Sequence, residues 1–201
     1  MYLHIFWDII SYFINFYKGN KLLALKDKND IFDDIWYEIG KITDEDDTDI
    51  IRKKIIYKKT DNGIKMITES NSINFIDGSF YYGIKNGSAI FPEYAIKDEQ
   101  YKNEFNGSIN GYNSNKLIID NNSLFGLPLW IIHQNIYKID DRSFKIIIIT
   151  DPIRKNCWIL SNDAHVIINK LNTDIIESIK NMLIKYKFEI SNFLFFLRIE
   201  N

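Results

Sequence analysis

The sequence predicts an all-β fold: an eight-stranded antiparallel up-and-down β-barrel followed by a C-terminal α-helix and a short ninth strand. Three observations carry this. From Trp36 onward, β-prone apolar runs, several of them alternating with period two, are separated by short polar turns. Only the segment around residues 172–186 has the three-and-four spacing of an amphipathic helix in that part of the chain. A tryptophan heads the first run and another, Trp158, stands in the last run before the single helix, an arrangement that suggests a barrel plugged at one end.

Composition bounds the function. The 201 residues are 46% hydrophobic, enough to bury one substantial core. We read a single barrel domain, residues 26–201, behind an apolar N-terminal extension, residues 1–25. A formal net charge of −2 gives no basic footprint for nucleic acid, so DNA and RNA are not expected as partners. Cys157 is the sole cysteine; no intrachain disulfide can form, and a small buried hydrophobe is the expected role.

Taken in order, Met1 to Tyr17 is apolar but for a few positions such as Asp8 and Asn15. It is short for a spanning helix, carries an acid near its middle, and lacks a positively charged start or a small-residue cleavage site. Three readings stay open for it: a degraded signal, an interfacial anchor making peripheral membrane contact through residues 1–17, and a helix packed on the barrel. A polar, helix-like run, Lys26-Asp-Lys-Asn-Asp-Ile-Phe32, leads into Asp34-Ile-Trp-Tyr-Glu-Ile-Gly40, the first strand. Asp44-Glu-Asp-Asp47 reads as a solvated turn, because the spaced Asp and closing Glu of a calcium loop are missing.

Ile50 to Tyr57 and Ile64 to Thr68 flank Thr60-Asp-Asn-Gly63, and a hairpin centred on Asn-Gly is expected, since both residues tolerate positive φ. Residues 71–79 read as loop. Phe80-Tyr-Tyr82 and Ser88-Ala-Ile-Phe91 read as strand pieces that stop at Pro92, and residues 93–114 as an insertion. Three Asn-x-Ser sequons, at Asn86, Asn106 and Asn121, are of a kind that chance supplies in an asparagine-rich chain. Lys116 to Ile119, Leu129 to Ile139, Phe144 to Ile149 and Asn156 to Ser161 follow as strands. Ile146 to Ile149 do not alternate, so that strand is expected to be covered on both faces. The helix supplies the cover: Asn172-Thr-Asp174 starts it, and Ile175, Ile176, Ile179, Met182, Leu183 and Tyr186 form its apolar stripe. Phe193-Leu-Phe-Phe-Leu197 closes the chain as the ninth strand.

With these residues in view, the chain resembles the lipocalin (calycin) family, and within it the branch of the bacterial lipocalin and apolipoprotein D. Asp34 to Gly40 is similar to that branch's Gly-x-Trp-Tyr-Glu-Ile-Ala opening, and Lys59-Thr-Asp-Asn-Gly-Ile-Lys-Met66 to its second hairpin. Asn135 to Asp140, Thr150-Asp-Pro152, Cys157-Trp-Ile-Leu-Ser161 and Phe188 to Phe193 fall in matching order along Lys26 to Ile199. Three departures stand out. Asp34 replaces the family glycine; Asn162 replaces an arginine that packs on the floor tryptophan, leaving Arg154 or Arg198 as substitutes; and neither a cleavable signal nor a lipoprotein cysteine is recognisable. The resemblance implies a secreted or membrane-associated location that these last features leave undecided.

The resemblance also implies a ligand inside the barrel. On the face shared with Trp36 it places Glu38, Ile55, Tyr57, Ile64, Met66, Ala89, Phe91, Leu117, Ile119, Gln134, Ile136, Trp158 and Leu160. Such a lining takes up a small hydrophobic ligand, a fatty acid or lysophospholipid, with Gln134, Tyr57 or a lysine at the mouth orienting a polar head. Neither cofactor nor metal is called for. Catalysis is not expected: His4, His133 and His165 are far apart, no nucleophile or metal motif is present, and Tyr37 and Glu38, being adjacent, point to opposite faces. A lipid-modifying lipocalin enzyme is the most distant alternative. The nearer one is a barrel filled by its own side chains that displays the loops at 71–79 and 93–114 to a protein partner.

Overall fold

The computed structural model describes residues 2–26, 31–42, 52–71, 75–76, 79–85, 88–90, 100–139, 141–163 and 173–199. Helix α1 (Tyr2–Lys18) comes first. Then come β1 (Ile35–Ile42), β2 (Arg52–Thr60), β3 (Gly63–Asn71), β4 (Phe75–Ile76), β5 (Ser79–Lys85) and β6 (Ser88–Ile90). After these follow β7 (Gln100–Asn110), β8 (Asn113–Ile119), β9 (Leu127–Ile139), β10 (Arg142–Thr150), β11 (Cys157–Ser161), α2 (Thr173–Lys185) and β12 (Phe193–Ile199). The strands β1, β2, β3, β7, β8, β9, β10 and β11 pair in that order, and β11 pairs back onto β1. The result is a closed, eight-stranded, antiparallel up-and-down barrel with a ninth strand and a C-terminal helix.

Period two sorts the ring's side chains into two cores. Ile147 and Ile149 of β10 enter the interior cluster with Trp36, Tyr57 and Leu117. Ile146 and Ile148 enter an outer cluster with Ile175, Ile179 and Leu183 of α2 and Phe193 to Phe195 of β12. All four isoleucines are essentially inaccessible, which is why their run does not alternate. Cys157 is a buried free thiol in the outer cluster, its pKa pushed well up by burial.

β1 is the strand on which the chain converges. Its first half pairs with β2 (Trp36 opposite Ile55), its second half with β12 (Gly40 opposite Phe195), and its other edge with β11. Gly40 lets the strands come close at the changeover: a Cβ there would be a tight fit, 3.1 Å from the Phe195 ring and 3.2 Å from the Leu194 carbonyl oxygen. β12 in turn carries β5, and among the described residues β4 and β6 pair only with β5, so these three strands form a flap outside the ring.

The sequence reading is corrected in several places. Residues 100–110, expected inside an insertion at 93–114, are ring strand β7, paired with β3 from Gln100 to Gly107, and 113–119 are β8. Asn, Ser and Gly there suppressed the β signal, yet Gly107 is needed because a Cβ would lie 2.5 Å from the Ile118 carbonyl oxygen. The true excursion from the ring lies between β3 and β7. In the second hairpin the two-residue turn is Asp61-Asn62, one residue earlier than the expected Asn-Gly centre, and of that expected pair only Gly63 has a positive φ (147°). The acidic run at 44–47, the sequon at Asn86, Phe91, most of the polar run 26–32, and the first capping residue Asn172 lie outside the described residues.

Arg154 does not replace the floor arginine. It lies in the β10–β11 turn, a strand's length from Trp36, and donates to the Tyr186 carbonyl (3.0 Å), Asn15 Oδ1 (2.6 Å) and the Asn20 carbonyl (2.6 Å). It clamps both helices to the barrel. The floor is sealed instead by Trp36, whose indole donates to the Ile31 carbonyl (2.9 Å), and by Phe32, bridged to Tyr57 and covered by the Lys59 ammonium at 4.5 Å. Asp34, in the glycine's place, accepts from Lys145 (3.1 Å), and Asn162, in the arginine's place, accepts from the Lys145 backbone (2.7 Å). The two departures thus meet around one lysine.

α1 lies against the barrel through its polar side. His4 Nε2 is 3.1 Å from Ser108 Oγ, Asp8 pairs with Lys116, and Trp7 donates to the Phe125 carbonyl at 3.0 Å. Burial, then the positive amino terminus, hold the His4 imidazole below its ordinary pKa of 6.5. A depressed folded-state value means that the unfolded chain protonates first as pH falls, so this contact is at full strength above pH 6.5 and weakens below it. Two outcomes follow. Trp36→Ala, a truncation of a fully buried side chain, should destabilise the barrel by about 3–5 kcal/mol in denaturant titration, and a loss under about 1 kcal/mol would place the floor elsewhere. Amide exchange in α1, corrected for its intrinsic pH dependence, should quicken on acidification through about pH 6, and His4→Gln should flatten that response.

Candidate functional site

Among the described residues a pocket lies inside the ring, and strand parity says why these side chains meet there. Ile55 and Tyr57 of β2, Met66 and Thr68 of β3, Leu129 of β9, Ile149 of β10 and Trp158 and Leu160 of β11 all share the face of Trp36. Lys53, two residues before Ile55, and Leu127, at the start of β9, complete the lining. Counted out to the mouth, where it meets solvent, the empty space is about 390 Å³. The cavity volume that compares with ligand sites is only about 60 Å³, well below their usual range, so the pocket as it stands admits at most one end of a slender molecule.

The interior cluster also holds side chains that do not line the pocket. Trp36, Ile64, Leu117 and Ile119 are each at most 1% exposed and pack with Ile31 and Phe32 into a plug. Glu38 is buried at 5% exposure and Lys41 at 6%. They share the interior face because the register slips between Glu38 and Gly40: Glu38 stands opposite Leu160, and Lys41 opposite Trp158. A bulge of this kind re-aims one side chain that strict alternation would turn outward. Tyr57 lies near enough to Glu38 for that carboxylate to add to the burial that drives its phenol pKa far up. Tyr57 therefore stays a protonated donor at any physiological pH.

The structure brings together five of the residues expected at the site: Ile55, Tyr57, Met66, Trp158 and Leu160 line the pocket. Trp36, Ile64, Leu117 and Ile119 form the plug, and Glu38 is buried on the same face. Gln134 stands opposite Ile147 and so faces inward, and its Oε1 is buried without a partner among the described residues. Two expectations fail. Ile136 is 58% exposed, because β11 stops opposite Ile146 and the β9–β10 hairpin runs on past the ring. Ala89 belongs to β6, which among the described residues pairs only with β5, outside the barrel.

Lys53, Thr68, Leu127, Leu129 and Ile149 were missed. Counting by twos from Ile55 reaches Lys53, and Thr68 is the residue paired with Ile55, so both were accessible to register reasoning. Leu127 and Leu129 were hidden by the shift in the β9–β10 pairing at Ile148/Ile149, which breaks parity between them and Gln134. Ile149 was masked by its isoleucine neighbours.

The strand order is the one that the lipocalin resemblance implies. Among solved structures, insecticyanin from the tobacco hornworm Manduca sexta is similar with a TM-score of 0.48 and 14% identity, covering 86% of this chain and 82% of that one. Lobster apocrustacyanin A1 follows at 0.45 and 14%, over 83% and 77%. H1 crustacyanin from the lobster Homarus americanus follows at 0.41 and 13%, over 83% and 77%. At those values they add nothing to what the strand pairing already says. No protein-family model matches the chain, and no curated protein matches it.

Gln134 offers a direct check on the interior. Gln134→Leu removes an orphaned acceptor while keeping its bulk, so stability should hold or rise by up to about 1 kcal/mol. A fall of more than about 1 kcal/mol in chemical denaturation would show that the amide has a partner in solution.

Proposed function

We propose that this protein binds and carries a small hydrophobic ligand with a single acyl chain, a fatty acid or a lysophospholipid, without altering it. The observation that supports this is the pocket itself: a wall of Ile, Leu, Met and Trp side chains with its polar groups gathered at a few points. Transfer of a hydrocarbon tail onto that wall is favoured by about 0.8 kcal/mol per buried methylene. Lys53 supplies a cation for a carboxylate or phosphate, and Thr68 and the un-ionised Tyr57 supply hydroxyl donors. The buried Glu38 disfavours drawing the anionic head to the bottom of the barrel, so the tail enters first and the head stays near Lys53.

An environment-sensitive fatty-acid probe should brighten on binding and be displaced by oleate. Lys53→Ala should weaken oleate by about 1 kcal/mol, roughly fivefold, while leaving the matching long-chain alcohol unchanged, since only the acid loses a charge partner. Failure of every acyl ligand to displace the probe, or of the probe to bind, would overturn the carrier reading and favour the filled barrel that contacts a protein partner. Equal losses for acid and alcohol would move the head group away from Lys53.

A further inference from the structure

Helix α1 is amphipathic with its greasy side outward. His4, Asp8, Ser11 and Asn15, four and three residues apart, form one stripe turned toward the barrel and the chain that follows. His4 and Asp8 meet Ser108 and Lys116, and Asn15 Oδ1 accepts from the Leu22 backbone (2.9 Å) and from Arg154 (2.6 Å). Those contacts hold the helix flat and fix which way it faces. The opposite stripe bears Ile5, Ile9, Phe13 and Phe16, from 49% to 83% exposed, with Tyr2 and Tyr17 at its ends at 83% and 87%.

We propose that this outward face of α1, continued by the Leu124-Phe125 loop on which Phe6 stacks, docks on the surface of a lipid bilayer. A convex, uncharged strip about 25 Å long, with phenol groups at its two ends, suits the boundary between acyl chains and headgroups, where amphipathic aromatic tips are favoured. Lys18 and the exposed Lys21 follow the strip directly, placing two cations where anionic headgroups would lie. The helix lies on the membrane and does not span it: among the described residues, no helix is long and apolar enough to cross. The strip also adjoins the barrel's mouth, because Leu127 of the pocket lining follows Phe125 by two residues. This last point alone rests on the carrier reading; docked in this way, the barrel would take up its ligand from the bilayer.

The full chain should co-sediment with phosphatidylcholine vesicles, and more strongly when part of the lipid is phosphatidylglycerol. Phe13→Ser with Phe16→Ser, both at exposed positions, should leave the thermal unfolding curve in place and weaken vesicle binding at least tenfold. Lys18→Gln with Lys21→Gln should cancel only the gain from phosphatidylglycerol. Equal sedimentation of the wild type and the Phe13/Phe16 variant, or none by either, overturns docking. So does a dimer in light scattering that the double variant dissolves while vesicles are ignored, which would make a second copy the occupant. The fatty-acid probe assay in solution separates the two readings: it should be unaffected by the Phe13/Phe16 variant, and its failure beside intact vesicle binding removes the carrier while leaving the docking surface.

Discussion

Closure of the ring by β1 on β11 is the constraint on which the rest depends. Backbone groups at a sheet's edge must find partners, and a barrel removes the edges by pairing first strand with last. Once that pairing is made, every ring strand has a defined inside and outside, and each inward side chain takes a set place in plug or pocket. The same closure explains why the floor must be built from the segment before β1. Trp36 fills the narrow end, its indole N–H is satisfied by the Ile31 carbonyl, and Phe32 bridges to Tyr57.

Two charged interior residues on one strand give the barrel its polarity. Strict alternation would have left only one of Glu38 and Lys41 facing in; the irregularity between Glu38 and Gly40 admits both. Each is almost inaccessible to water, and charges so placed are tolerated only with compensating interactions. Their effect reaches Tyr57, whose phenol is kept protonated by burial and by the Glu38 carboxylate. The apolar wall of the pocket thus carries a phenol at Tyr57 and a cation at Lys53, with Glu38 and Lys41 buried on the same interior face.

The parts of the fold legible in the sequence were those where one residue type has few physical options. Four consecutive isoleucines had to be covered on both faces, and they are shared between the interior and the α2 side. The helix stripe of Ile175, Ile179 and Leu183 had to meet a core. β7 was illegible because Asn103, Asn106, Gly107 and Ser108 belong to a strand whose fit comes from its neighbours and not from its own propensity. The site was half legible for a related reason. Parity carried correctly along β2, β3 and β11, and failed on β9, where one residue of slippage turns the inward set by one position.

The meeting of three distant segments on β1 has a consequence for how the protein is made. Gly40 touches Phe195, and Lys41 stands opposite both Trp158 and Leu194, so the earliest strand is complete only when the latest ones arrive. A chain leaving the ribosome carries β1 with one side unsatisfied through most of synthesis, and contacts of such wide separation form slowly. Truncated products ending before β11 would retain an open sheet and a bare indole, which makes premature termination more hazardous for this protein than for one whose first strand pairs only with its immediate successor.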